Sequence, residues 1–255
     1  MARLKLLCLP YSGASAMVYS RWRRHLPQWL EVQPLELPGR GTRFAEPLHT
    51  DMQVLAKQLA AEVSAKVKVP YALFGHSLGA ILGYELIHAL QAQGAALPLA
   101  FVASGTAAPS RRENYAAYAQ PKSDAELLAE LKDLNGTPDE VLQNEELMAL
   151  TLPVLRADFL LCGRYQYQPR NRLPMPVYVL GGKEDRSSVD QLLAWQDEAD
   201  HSFSLDMLPG GHFFIHQYES RVLGLIKAKL EILWGRYIRK TAHEEAALHG
   251  LLSRA

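Results

Sequence analysis

The sequence predicts an α/β fold, a mostly parallel central sheet with helices on both faces, and three observations predict it. Short apolar, strand-like runs alternate with segments of helical period through residues 1–108 and again through 170–234. The connections between these runs are short. One run, Tyr71-Ala72-Leu73-Phe74, enters Gly75-His76-Ser77-Leu78-Gly79 and passes directly into an apolar helical segment, Leu78 to Gln93.

The elements follow in order. Leu4–Leu9 is an apolar run stopped by Pro10 and reads as the first strand; it is short and lacks a small-residue cleavage site, unlike a signal peptide. The loop Pro10-Tyr11-Ser12-Gly13-Ala14-Ser15 follows, then a Trp- and Arg-bearing segment, Val18–Leu30, that is helical in part. Val32–Leu37 reads as a second strand ending at Pro38-Gly39-Arg40-Gly41. From Asp51 to Val67, the four-residue spacing of Leu55, Leu59, Val63 and Val67 predicts a helix. After the strand at Tyr71 comes the helix that Gly94 stops, and then a strand at Leu99–Ser104.

Residues 109–169 break the alternation. Ser123-Asp124-Ala125-Glu126 has the form of a capping box, as does Thr137-Pro138-Asp139-Glu140 with proline at the first helical position. A leucine-rich stretch from Glu145 to Arg164 is interrupted by Pro153. The block reads as several helices without a strand. Because it leaves the sheet after Leu99–Ser104, it is placed to fold as a helical lid over the carboxyl end where Ser77 lies; the alternative is a separate helical domain. The α/β rhythm resumes with the strand Pro176–Leu180, a helix from Ser188 to Ala199, a strand Ser202–Leu208 with Phe203, Leu205 and Met207 on one face, and a helix from Tyr218 to Trp234. Residues 235–255 read as a charged, partly helical tail.

A chain of 255 residues with 27 basic and 27 acidic side chains has no bulk charge that points to nucleic acid or to a membrane surface. No apolar run approaches the roughly 20 residues of a membrane span. Cys8 and Cys162 are too few and too far apart for a disulfide framework or a metal motif, which suits a cytoplasmic protein with no bound metal. Nothing in the sequence demands more than a monomer.

The chemistry centres on the strand, G-x-S-x-G, helix sequence, the nucleophile elbow of an α/β-hydrolase fold. The turn leaves room for little more than hydrogen on either side of the serine, so glycine stands at 75 and 79. The strain lifts the Ser77 hydroxyl above the sheet and aims the Leu78 N–H where an oxyanion forms. A serine hydroxyl needs a base, and the base an orienting carboxylate, in the chain order serine, acid, histidine. His25, His49 and His76 precede the serine, and His88 lies on the elbow's own helix. His201 precedes the last strand; His243 and His249 lie in the tail. His212, on the turn Pro209-Gly210-Gly211 after the last strand, is the base, with His216 its near rival. Asp185, at the exit of the preceding strand, is the acid; Glu184 is one residue away and points the other way. The second oxyanion donor belongs in the loop after the first strand, with the backbone N–H of Ser12 the chosen group. Arg111 and Arg112 open the inserted block and read as solvated, although a phosphate would suit them.

Six segments in this order resemble one family: Pro10-Tyr11-Ser12-Gly13-Ala14-Ser15, Leu37-Pro38-Gly39-Arg40-Gly41, Gly75-His76-Ser77-Leu78-Gly79-Ala80, Leu152-Pro153-Val154-Leu155-Arg156-Ala157-Asp158, Gly181-Gly182-Lys183-Glu184-Asp185 and Pro209-Gly210-Gly211-His212-Phe213-Phe214. Together they look like the type II thioesterases of nonribosomal peptide and polyketide assembly lines, over about residues 3 to 233. The resemblance implies a helical lid and an editing role, the hydrolysis of stalled or wrong acyl groups from the phosphopantetheine arm of acyl- or peptidyl-carrier domains, with no cofactor of the enzyme's own. It assigns nucleophile, acid and base to Ser77, Asp185 and His212. The family usually has Ala-Gly-Gly where this chain has Ser12-Gly13-Ala14, and an alanine at 14 resists a positive φ. Three other readings stand beside it: a medium-chain fatty acyl thioesterase, a small-molecule carboxylesterase, and a non-catalytic binding protein that keeps the fold.

Overall fold

Runs that are apolar nearly throughout, such as Tyr71–Phe74 and Leu99–Ser104, belong at the covered centre of a sheet, and runs that alternate, such as Phe203–Leu208, belong at its edge. In the computed structural model, which describes residues 3–112, 115–134 and 139–252, they form one six-stranded sheet. The elements in chain order are β1 (Leu4–Leu9), β2 (Leu30–Pro34), α1 (Met52–Lys66), β3 (Tyr71–His76), α2 (Leu78–Ala92), β4 (Phe101–Ser104), α3 (Asp124–Leu134), α4 (Asp139–Leu142), α5 (Glu145–Arg164), β5 (Val177–Gly182), α6 (Val189–Leu193), β6 (Phe203–Leu208), α7 (Phe214–Gln217) and α8 (Glu219–Leu252). The strand order is β2-β1-β3-β4-β5-β6, and every pairing is parallel. The sheet is therefore the expected one, and the fold is that of an α/β hydrolase.

Alternation along β1 sorts its side chains between two cores. Leu7 and Leu9 join Leu73, Phe101 and Val179 under α1 and α2. Leu4, Leu6 and Cys8 join Phe74, Val102 and Leu180 under α8 and the 3₁₀ segment Ala16–Arg24, whose Tyr19 and Trp22 are fully buried. β2 lies two residues earlier than Val32–Leu37. It is the edge strand, and the Leu35 N–H still bonds the Cys8 carbonyl at 2.9 Å, so the N–H that Pro34 lacks falls on the open edge. The helix expected from Ser188 to Ala199 begins with a capping box between Ser188 and Gln191 and tightens into a 3₁₀ turn, Ala194–Glu198. The turn places the buried Trp195 indole N–H on the Thr106 carbonyl at 3.0 Å.

Two expectations are corrected. Pro153 does not interrupt the inserted helices: α5 runs unbroken from Glu145 to Arg164. Pro153 sits on the exposed side, as does Ala149, so the carbonyl deprived of its partner faces water. The flanking Leu152, Leu155 and Phe159 are buried with Leu127, Leu142 and Met148 in a small core of the inserted segment, which holds both halves of α5 on one axis. Nor does the last helix end at Trp234. α8 continues to Leu252, across the boundary expected at 235. Gly235 costs about 1 kcal/mol in a helix interior, and the Trp234 and Tyr237 rings stack across it at 5.5 Å. The Ser123 capping box is present, with Glu126 accepting from the Ser123 N–H at 2.7 Å. Of the second, Thr137 and Pro138 lie outside the described residues.

The inserted segment is fixed to the sheet by a buried ion pair. Asp158 of α5 and Arg40, from the loop after β2, are joined by two hydrogen bonds of 2.6 and 2.7 Å, and their side chains are 0% and 6% exposed. The same carboxylate accepts the Gly13 N–H at 2.8 Å, and Arg40 also donates to the Ala14 carbonyl. One carboxylate thus ties together α5, the loop after β1 and the loop after β2. Removing one member of such a pair leaves the other charged and buried, a loss of about 3–5 kcal/mol. Asp158→Ala is accordingly expected to lower the denaturant midpoint sharply. An exposed control such as Asp133→Ala should leave it within about 0.5 kcal/mol of wild type, and equal midpoints for the two variants would contradict the anchoring role.

Candidate active site

β1 and β3 are neighbours in the sheet but run on to opposite sides, β1 to β2 and β3 to β4. Such a switch point opens a crevice beyond the carboxyl ends of the strands. Ser77 stands there, one residue past β3, with φ 55° and ψ −117°, and is the one non-glycine residue of positive φ among the described residues. A backbone held in that region costs about 1–3 kcal/mol. Its surroundings leave it no alternative. A Cβ on Gly75 would lie 2.1 Å from the Gly79 carbonyl oxygen, and one on Gly79 would lie 2.3 Å from that of Leu9. The Ser77 N–H is held by the Ser104 carbonyl at 2.7 Å.

His212 lies on the turn that follows β6. Its Nε2 is 3.0 Å from Ser77 Oγ, and its Nδ1 is 3.1 Å from each oxygen of Asp185. The Asp185 side chain is 3% exposed, and its Oδ1 also accepts the Arg186 N–H at 2.7 Å. The rivals lie elsewhere. Glu184 is exposed and its N–H goes to the Gly210 carbonyl. His216 is exposed on its outer side, with Nε2 2.9 Å from the Tyr11 hydroxyl. His88 is buried against the Tyr84 ring, and burial pushes its pKa down to about 4. His201 and His243 are exposed. The side chain of His249 is outside the description.

Directly beneath His212 lies the buried ring of His76, centroid to centroid 5.1 Å. Its Nδ1 is 2.9 Å from Ser104 Oγ. Burial, and then the charge that His212 and His216 can carry, hold its pKa well below the usual histidine range. His76 is therefore a neutral floor under His212.

Ser12 and Leu78, the expected oxyanion donors, flank the serine from the β1 loop and from the first turn of α2. Neither N–H has a protein partner among the described residues. The positive φ in the β1 loop falls on Gly13, at 78°, and not on Ala14, whose N–H closes a turn on the Tyr11 carbonyl at 3.1 Å. Alanine at 14 therefore imposes no strain there.

A cavity of about 240 Å³ opens above Ser77 and His212, roofed from the inserted segment by Tyr118, Leu131, Leu155 and Phe159. At its margin Arg186 pairs with Glu130 of α3 at 3.0 Å and with Asp133. Glu130 also accepts the Tyr118 hydroxyl at 2.5 Å. Arg112 sits over the Tyr165 ring, 5.9 Å from its centroid. The roles of Arg40, Asp158, Tyr11 and Arg186 escaped the sequence reading. Arg40 and Asp158 stand inside recognisable motifs, but nothing in those motifs pairs them; Arg186 and Glu130 are 56 residues apart with no pattern to join them. Among the described residues, no group of three or more His, Cys, Asp or Glu is placed to hold a metal ion, and no helix is long and apolar enough to cross a membrane.

Known proteins resemble this chain along most of its length. The thioesterase domain family model matches residues 4–230. Linear gramicidin dehydrogenase LgrE of Brevibacillus parabrevis is 38% identical over 235 residues, 90% of this chain and 89% of that protein. The crystal structure of ClbQ from the colibactin NRPS/PKS pathway superposes with a TM-score of 0.85 at 33% identity, over 91% of this chain and 98% of that one. The type II thioesterase BorB from the borrelidin biosynthetic cluster superposes with a TM-score of 0.79 at 37% identity, over 88% and 91%. With a family match over most of its length and relatives of this identity along nearly all of it, the chain belongs to the thioesterase family.

Proposed function

We propose that this protein hydrolyses acyl and aminoacyl thioesters from the phosphopantetheine arms of carrier domains, clearing stalled or misprimed groups from a peptide or polyketide assembly line. The observation that carries the reading is the line Ser77 Oγ, His212 Nε2, His212 Nδ1, Asp185, at 3.0 and 3.1 Å beneath a roofed cavity. Ser77 Oγ attacks the thioester carbonyl carbon as His212 Nε2 takes its proton. The oxyanion is received by the N–H groups of Leu78 and Ser12. Collapse breaks the C–S bond, and His212 returns the proton to the departing sulfur, leaving an acyl-Ser77 ester and a free pantetheine thiol. Water then attacks the ester carbonyl as His212 Nε2 takes its proton, and collapse breaks the C–Oγ bond, with His212 returning the proton to Ser77 Oγ and the carboxylic acid leaving. Asp185 holds the imidazole with its proton on Nδ1 and stabilises the imidazolium that forms twice in the cycle. The steps require no cofactor beyond the arm that the substrate brings.

The carrier-bound substrate is supported by the company the chain keeps: BorB is described as a type II thioesterase of a biosynthetic cluster and ClbQ as part of an NRPS/PKS pathway. The word dehydrogenase in the name of LgrE stays with that protein; at Ser77 the geometry is suited to acyl transfer. Residues 109–169 act as the lid of this enzyme, sheltering the acyl chain from water and gating its entry.

Ser77→Ala is expected to abolish turnover with the fold intact, and His212→Ala to do nearly the same, since members of a triad act as a unit. Asp185→Asn should lower kcat by about 10⁴, as the wrong tautomer does in a related triad. Near-normal steady-state kinetics in His212→Ala, with loss in His216→Ala, would move the base to His216. For the substrate, kcat/KM should be higher for an acyl group on a carrier domain than for the same group on coenzyme A, because the carrier adds contacts remote from the reacting carbon. Leu131→Asp, in the roof, should lower both. Equal values on the two thioesters would favour a free fatty acyl thioesterase, and faster turnover of matched oxoesters a carboxylesterase.

A further inference from the structure

The two loops that carry the oxyanion donor and the base are held together by a side chain on each. Tyr11 precedes Ser12 in the loop after β1, and His216 lies one turn beyond His212. The Tyr11 hydroxyl and His216 Nε2 are 2.9 Å apart, across 205 residues of sequence. Below that contact the Tyr11 ring meets three others edge-on: Phe213 at 5.0 Å, His216 at 5.7 Å and His76 at 5.8 Å. Phe213 in turn stacks on His216 at 6.1 Å. Tyr11 thus touches the elbow, the base loop and, through its own backbone, the oxyanion loop. Its hydroxyl is a neutral donor at any working pH, since burial pushes its pKa up to about 12.

From this junction we infer that Tyr11 and His216 are positioning residues, a clamp that sets the Ser12 N–H relative to Ser77 and His212. The inference rests on the proposed acyl-enzyme chemistry and deepens it. Ser12 lies in a loop whose neighbours are otherwise held by the backbone turn from Ala14 to Tyr11 and by Asp158 at Gly13. The Asp158 contact lies beyond Ser12, and the turn closes on the carbonyl of Tyr11 itself. The Tyr11 side chain joins the start of that turn to the loop that carries the base. An oxyanion donor displaced by a fraction of an ångström still permits substrate to bind but receives less of the charge that develops on attack. Loosening the clamp therefore lowers kcat and leaves KM nearly unchanged. His216 Nε2 accepts the Tyr11 proton when Nδ1 carries the ring hydrogen, and an amide oxygen of glutamine can serve the same acceptor role.

The test uses the full-length protein and the variants Tyr11→Phe, His216→Phe, the double variant and His216→Gln. Because His216 is exposed, its replacement spares the core. Two rates are measured for each: steady-state hydrolysis of one acyl-carrier thioester, and phosphonylation of Ser77 by a fluorophosphonate, which needs the same oxyanion site but no thioester. Losing one neutral hydrogen bond is expected to lower kcat and the phosphonylation rate about fivefold to tenfold in Tyr11→Phe and in His216→Phe. KM should stay within about twofold and thermal midpoints close to wild type. The double variant should be no slower than the slower single variant, and His216→Gln should recover most of the rate. A Tyr11→Phe enzyme with wild-type kcat and wild-type phosphonylation would overturn the clamp, as would single losses that multiply in the double variant. A wild-type protein that is phosphonylated at Ser77 yet hydrolyses no acyl-carrier thioester would overturn the substrate proposal instead, and the phosphonylation series would still decide the clamp.

Discussion

The conformation of Ser77 is the constraint on which the rest of the site depends. A serine at φ 55° and ψ −117° does not persist on its own account. It is imposed from three directions: the Ser104 carbonyl fixes its N–H, α2 starts at the next residue, and the backbones of Gly79 and Leu9 approach so closely that only glycine fits at 75 and 79. The apolar strands and the largely buried α2 supply the packing that outweighs the strain. In return the hydroxyl stands clear of the sheet at its switch point, within reach of a histidine that arrives 135 residues later in the chain.

The inserted segment is held to that site by ion pairs of two kinds. Arg40 and Asp158 are buried, bidentate, and shared with the N–H of Gly13. At the cavity margin, Arg186 is 54% exposed, and its partners Glu130 and Asp133 are 16% and 72% exposed. Exposed pairs of that sort contribute about 0–1 kcal/mol and are screened by salt. The roof is thus rooted through α5 and only lightly tethered through α3. This asymmetry suits the lid role proposed for the segment, and it sets the loop after β1 on the rooted side.

The sequence was legible where local rules decide the outcome. G-x-S-x-G between a strand and a helix pointed to Ser77, and chain order with strand ends pointed to Asp185 and His212, because an α/β sheet presents the carboxyl ends of its strands on one edge. Helix ends marked by Ser123, Ser188 and Gly94 were equally readable. Local rules misled at Pro153 and Gly235. Both residues weaken a helix, but burial of Leu152 and Leu155 in one case and stacking of Trp234 on Tyr237 in the other outweigh that weakness. Long-range pairs were not legible at all. Arg40 with Asp158, Tyr11 with His216 and Glu130 with Arg186 bring together residues whose partners no spacing specifies.

The central claim is that Ser77 carries the acyl group between carrier and water. Rapid quenching of the enzyme with an acyl-carrier thioester, followed by peptide mass spectrometry, tests it directly. The account predicts an acyl adduct on the peptide that contains Ser77, present in the first turnover and gone when the thioester is exhausted. Full-rate hydrolysis with no adduct at any time, or an adduct on a different residue, would contradict it.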